Sequence, residues 1–216
     1  MYVESRMTKS VVTVAEDTSF YEISKILKEQ GIRHLPVLTG DKVVGMISDR
    51  DVKLASPSIV TSFSKGEINY LLDKVKAKDI MHHSALTVIP ETTIEEAAKL
   101  MLDNKVGALP VVKNGKIVGI ICETDILEVF VEVLGLGAKS TRITLELPEK
   151  VGILADITRI IKEGSGMIIS IVSPYHPEEG LRTVVVRVQS QKVEKIVEEI
   201  KKAGYKVVSL LETNGN

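Results

Sequence analysis

A single cysteine, Cys122, stands among the 216 residues, which excludes an intrachain disulfide framework and fits a reducing compartment. Charge of one sign is missing too. Against 29 aspartates and glutamates the chain sets 28 lysines and arginines, a formal net charge of −1, without the basic excess that phosphate-backbone binding leaves in a sequence. Tryptophan is absent and aromatics make up 4% of the chain. No run approaches the roughly 18 uninterrupted apolar residues of a membrane span. Met1-Tyr2-Val3-Glu4-Ser5-Arg6 holds no apolar signal core. The chain therefore reads as soluble and cytoplasmic, with neither nucleic acid nor membrane as a partner.

Catalytic and metal signatures are missing as well. The sequence has no Gly-Lys phosphate loop and no Gly-x-Gly-x-x-Gly after a strand. His82 and His83 are adjacent, so on a strand they point to opposite faces. Neither pair member has a cysteine or acid at zinc-ligand spacing, and His34 and His176 stand alone, so no metal is expected. Cys122 as a nucleophile would need a nearby base and a group to orient it. A metal- or Cys122-dependent enzyme is thus the weakest reading, and no catalytic residue is assigned.

What the chain does have is an internal repeat. Slid by 74 residues, Met7–Asp51 matches Met81–Asp125 without a gap at fifteen of 45 positions. The pairs include Met7/Met81, Thr13/Thr87, Thr18/Thr92, Glu22/Glu96, Gly45/Gly119 and Asp51/Asp125, and Leu35-Pro36-Val37 falls on Leu109-Pro110-Val111. Two copies of one unit follow, each needing the other. In each, a short β-branched strand (Val11–Val14, Leu86–Ile89) leads to a helix opened at capping-box spacing by Ser19 and Glu22, or Thr92 and Glu95. Gly31 and Asn104 are placed to end those helices in a left-handed conformation. A hairpin follows, turning at Thr39-Gly40-Asp41-Lys42 or Asn114-Gly115, and runs into a second helix at Asp51 or Asp125. The unit is β-α-β-β-α, and Glu67 to Lys76 is expected to be a connecting helix.

Gly31-Ile32-Arg33-His34-Leu35-Pro36-Val37 and Val44-Gly45-Met46-Ile47-Ser48-Asp49-Arg50-Asp51, with their repeat partners, resemble a tandem pair of CBS domains, the Bateman module. The resemblance covers roughly residues 1 to 135. Beyond Leu134-Gly135-Leu136-Gly137-Ala138, read as a linker, apolar alternation and helical spacing give β-α-β-β-α-β, the ferredoxin-like order. With Leu147-Pro148-Glu149-Lys150-Val151-Gly152-Ile153-Leu154 at its first strand-to-helix turn, this segment resembles an ACT domain, although Val151 stands where that family usually has proline. The CBS-CBS-ACT order is similar to the AcuB-like proteins, named for acetoin utilisation. The expected fold is α/β (α+β), in three parts: CBS repeat 1 over 1–66, CBS repeat 2 with the connecting helix over 67–135, and an ACT domain over 140–216.

A hydroxyl three residues before an aspartate, at a strand-to-helix turn, suits a nucleotide. The carboxylate can accept from both ribose hydroxyls, while the serine and the helix N–H groups face a phosphate. Ser48, Asp51 and the cation Arg50 offer these groups. The second copy keeps Asp125 but puts Cys122 and Thr124 at the serine and arginine positions, a poorer phosphate site. The same side chains would also serve as plain helix caps. The resemblance implies composite clefts: Thr18, Ile32 and Arg33 with Asp125, and Thr92, Val106 and Gly107 with Ser48 and Asp51. Ile32 and Val106 would sandwich adenine, or simply belong to the core. In the ACT segment, Glu149, Gly152, Ile153 and Leu154 are the implied amino-acid site, with Gly152 expected to permit a close backbone approach. The resulting expectation is a non-enzymatic regulatory sensor with no required cofactor. An adenine nucleotide, AMP foremost, or an S-adenosyl compound is its ligand, and a homodimer its assembly, with a regulated protein as a further partner. A dimeric interaction scaffold that binds no ligand is the alternative.

Overall fold

A computed structural model describes residues 1–56, 74–174 and 180–214. The connecting helix expected over Glu67 to Lys76 falls mostly on residues 57–73, outside the described residues, as do residues 175–179 of the turn in the C-terminal segment. The chain divides into two compact units, Met1–Ile126 and Leu127–Asn216. Among the described residues no helix is long and apolar enough to cross a membrane.

In the first unit, β1 (Val14–Ala15) lies parallel to β2 (His34–Thr39), and β2 pairs antiparallel with β3 (Lys42–Ser48). The helix between β1 and β2, α1 (Phe20–Gln30), begins where the Ser19 hydroxyl accepts the Glu22 amide. It ends at Gly31, whose φ of 63° lies in the left-handed region that glycine enters without penalty. Its apolar stripe buries Phe20, Ile23 and Leu27 against Leu35, Val37 and Ile47 of the hairpin. After β3 comes α2 (Asp49–Ala55).

The second copy repeats this with α4 (Ile94–Asn104), β5 (Ala108–Lys113), β6 (Lys116–Cys122) and α5 (Glu123–Val133), preceded by α3 (Ala77–Ile80) and β4 (His82–His83). Two expected boundaries move by one residue. The cap of α4 is Thr93 with Glu96, not Thr92 with Glu95, because the Thr92 hydroxyl is already accepting the Ile89 amide. The left-handed residue after α4 is Lys105 at φ 55°, one past Asn104 and at the repeat position of Gly31. The expected strand Leu86–Ile89 is reduced to a parallel bridge between Val88 and Val111.

The two copies exchange their leading segments. His82 and His83 of β4 pair with Met46 and Gly45 of β3, so the first sheet runs β1-β2-β3-β4 across both repeats. Thr8 answers by exchanging both backbone bonds with Ile120 of β6. The pattern is two-fold throughout. The Val3 amide donates to the Thr92 carbonyl as the Ala77 amide donates to Thr18, and Ile94 donates to Met1 as Phe20 donates to Val75. Val3 is fully buried, and Ala77 and Met81 belong to the core of the first repeat. A Cβ on Gly45 would overlap the Met81 sulfur, and one on Gly119 the Met7 sulfur, so a side chain at either crossing would displace a methionine.

The second unit is a four-stranded antiparallel sheet of order β10-β7-β9-β8, built from β7 (Ser140–Pro148), β8 (Met167–Val172), β9 (Leu181–Gln189) and β10 (Lys206–Thr213). Alternation puts Ile143, Leu145 and Leu147 and Val184, Val186 and Val188 on one face. They meet Ile153, Ile157 and Ile161 of α6 (Ile153–Glu163) and Ile196, Val197 and Ile200 of α7 (Val193–Lys202). This is the ferredoxin-like α+β arrangement.

Candidate functional site

The strand-to-helix turn of the first repeat is closed by its own side chains. The Ser48 amide and hydroxyl both donate to Asp51 Oδ2, at 2.7 and 2.6 Å, and the Asp51 amide donates to Ser48 Oγ at 3.3 Å. The other oxygen, Asp51 Oδ1, lies 2.9 Å from His82 Nε2. Burial works against charge on Asp51, but the bonds from Ser48 and His82 outweigh it and hold the carboxyl below the usual carboxylate range. An ionised carboxylate only accepts, so Nε2 of His82 carries the proton in this pair. His82 reaches Asp51 because β4 is laid beside β3, which ends at the N-cap of α2. Sequence reasoning missed this residue; the signal was its position, where the repeat offset places Thr8 in the first copy.

The second turn is simpler. The Cys122 amide donates to Asp125 Oδ2 at 2.7 Å, the same bond that Ser48 gives Asp51. Burial, followed by the Asp125 carboxylate and Glu123, pushes the Cys122 thiol up to about 11 against a weaker opposing pull from Arg33. The thiol is therefore protonated at neutral pH. Arg33, on the loop of the other repeat, is the cation that acts against the rise at Cys122.

Between the turns, the two loops meet at Gly107 and His34. A Cβ on Gly107 would stand 3.0 Å from His34 Nε2 and 3.7 Å from the Glu123 carboxyl carbon. Burial and Arg33, with a smaller push from Arg50, lower the His34 imidazole, while Glu123 and Asp49 act against them. Each loop is pinned to its own helix, by the Asp49 amide to the Arg33 carbonyl and by the Glu123 amide to the Gly107 carbonyl. Arg33 and Arg50 are exposed and Val106 is half-buried. Ile32 leans on the core of the first repeat, so it serves packing as well as any ligand. Thr18 and Thr92 hold equivalent turns, their hydroxyls accepting from Ala15 at 3.0 Å and Ile89 at 3.2 Å.

In the second unit the residues of the expected amino-acid site lie on the turn after β7 and at the start of α6. Glu149 is exposed, but Ile153 is buried in the core and Leu154 packs against it. Gly152 has open space around its would-be Cβ and a φ of +87°, the left-handed conformation that glycine adopts without penalty at the start of α6. An open groove of about 690 Å3 lies at the other end of β7, where Lys139, Ser140 and Thr141 meet Gln189, Glu194 and Thr213. Among the described residues no three His, Cys, Asp or Glu side chains gather as metal ligands would.

Comparison with known proteins matches residues 3–58 and 77–132 to the CBS domain and residues 139–210 to the TTHA0829-like ACT domain. An inosine-5'-monophosphate dehydrogenase of Korarchaeum cryptofilum is 36% identical over 124 residues, 57% of this chain but only 23% of that enzyme. A CBS domain-containing protein of Dictyostelium discoideum is 34% identical over 134 residues, 61% of this chain and 92% of its own length. Among solved structures, the acetoin utilization protein AcuB of Vibrio cholerae is 28% identical with a TM-score of 0.51, covering 63% of this chain and 94% of that one. CBSX2, solved in complex with AMP, is 28% identical with a TM-score of 0.50, over 61% of this chain and 97% of that one. The CBS domain pair of protein MJ0100, solved with 5'-methylthioadenosine and S-adenosyl-L-methionine, is 25% identical with a TM-score of 0.50, over 60% and 95%.

Proposed function

The chain belongs to the CBS domain family and carries a TTHA0829-like ACT domain after its tandem repeats, and from that membership we propose that it is a regulatory sensor of adenosine compounds. One observation carries this reading. In both copies a carboxylate, Asp51 or Asp125, is fixed at the third residue of a helix by a 2.7 Å bond from the amide three residues before. That bond holds one oxygen, and a carboxylate so fixed would accept from a sugar's hydroxyls beside helix N–H groups that favour phosphate. The ligands of CBSX2 and MJ0100 support the adenosine class.

AMP is the favoured ligand. Arg33 before β2 and Arg50 in α2 are exposed cations, which suits a monophosphate or a neutral-to-cationic adenosyl compound better than a triphosphate. Thr18, Ile32 and Arg33 would serve Asp125, and Thr92, Val106 and Gly107 would serve Ser48 and Asp51. The protein acts by shifting a homodimer between arrangements of different ligand affinity, without catalysis and in the cytoplasm, and so controls a protein partner. Its ACT domain pairs chains or takes an amino acid at Glu149.

Isothermal titration with AMP, ATP, S-adenosylmethionine and methylthioadenosine tests the reading. Micromolar heat that is lost on Asp125→Ala supports it. Silence across the panel from folded, nucleotide-free protein moves the assignment to a dimeric scaffold, the second reading, which the completeness of the Ser48–Asp51 cap favours.

A further inference from the structure

The two aspartates are unequal acceptors. A carboxylate offers about four lone-pair sites, and a ribose cis-diol needs two of them. At Asp51 three are taken, by the Ser48 amide, the Ser48 hydroxyl and His82 Nε2. At Asp125 one is taken, by the Cys122 amide, and among the described residues no other hydrogen bond reaches that carboxylate. The thiol is a weak donor where serine was a strong one, and Thr8, at the repeat position of His82, makes no side-chain bond to Asp125.

Resting on the sensor reading, we propose that the cleft of Asp125 is the primary adenosine site and that His82 keeps the cleft of Asp51 latent. His82 approaches Asp51 Oδ1 from the solvent side: its side chain is 77% exposed while that of Asp51 is 13% exposed. It stands where a sugar hydroxyl would have to arrive. A ligand entering that cleft must first break a charge-assisted bond, which lowers its affinity there by about 10- to 100-fold relative to an open carboxylate. Cys122 at the repeat position of Ser48, which weakens phosphate contact at the second turn, is then also what leaves Asp125 open to ribose. His82 sets which cleft fills; it is a positioning residue for Asp51, held there by the pairing of β4 with β3.

Titration of the full chain with AMP tests this, with His82→Thr copying the first repeat's residue at an exposed position. Wild type takes up one AMP per chain, and Asp125→Ala removes it. His82→Thr adds a second equivalent, which the double variant His82→Thr, Asp51→Ala loses while keeping the first. Wild-type binding that survives Asp125→Ala overturns the assignment, as does a His82→Thr chain whose stoichiometry and affinities match the wild type. If AMP, S-adenosylmethionine and methylthioadenosine all give no heat with wild type and His82→Thr alike, it is the sensor reading that fails.

Discussion

Cys122 and Ser48 hold the same place in the two repeats, yet one meets its aspartate through an amide alone and the other through amide and hydroxyl. Two consequences follow from the charges involved. With its pKa raised to about 11, Cys122 should react slowly with iodoacetamide at neutral pH, and the rate of labelling followed by mass spectrometry should keep climbing past the usual thiol range. Asp51 behaves oppositely. Its folded pKa lies below the unfolded value of about 3.9, so its stabilising bonds are fully present above that pH and fade as acid takes the carboxyl through its lower folded value. Asp51→Asn should cost about 1 kcal/mol near neutrality. The gap in Tm between variant and wild type should close below about pH 4. The aspartates themselves were legible from the repeat offset and their turn. His82 was not, because its bond to Asp51 joins residues 31 apart in sequence and exists only once β4 lies beside β3.

At the level of elements, hairpins and helices came from local chemistry that the sequence displays: Asn114-Gly115 in left-handed conformation at the turn of β5 and β6, Ser19 capping α1, alternation along β7 and β9. The one-residue shift of the α4 cap was illegible for a physical reason. Thr92 and Thr93 are both competent caps, and the choice falls to whichever hydroxyl the preceding turn leaves unused. Glycines 45 and 119 mark where a strand of the other copy crosses closely. Gly45→Ala must displace Met81, which is buried and has little room to swing, so the variant should lose roughly 1–3 kcal/mol in urea unfolding. Gly119→Ala, facing the half-buried Met7, should lose less than Gly45→Ala, and Gly40→Ala, with open space around it, should show only the cost of its positive φ.

For the molecule as a whole, the repeat announced two copies but not that they trade their first segments. Self-similarity is blind to partner choice, since Thr8 with β3 and Thr8 with β6 read identically in sequence. The exchange makes an asymmetric prediction. Deleting residues 1–8 should expose the amides of Ile94 and Ile120 in the second repeat to hydrogen exchange, because Met1 and Thr8 supply their acceptors. Phe20 and Ala77, bonded to Val75 and Thr18, should keep their protection. Loss of protection at both sets alike would mean the two crossings stand or fall together.

The same crossing constrains how the chain can be made. The Met1 carbonyl waits for the Ile94 amide, and the Val3 amide for the Thr92 carbonyl. A ribosome adding roughly 5–20 residues per second needs about 5 to 20 seconds to deliver them. Throughout that interval Val3, fully buried in the finished protein, has no place to go. The segment that crosses to the second repeat thus stays without its partner until that repeat has been made.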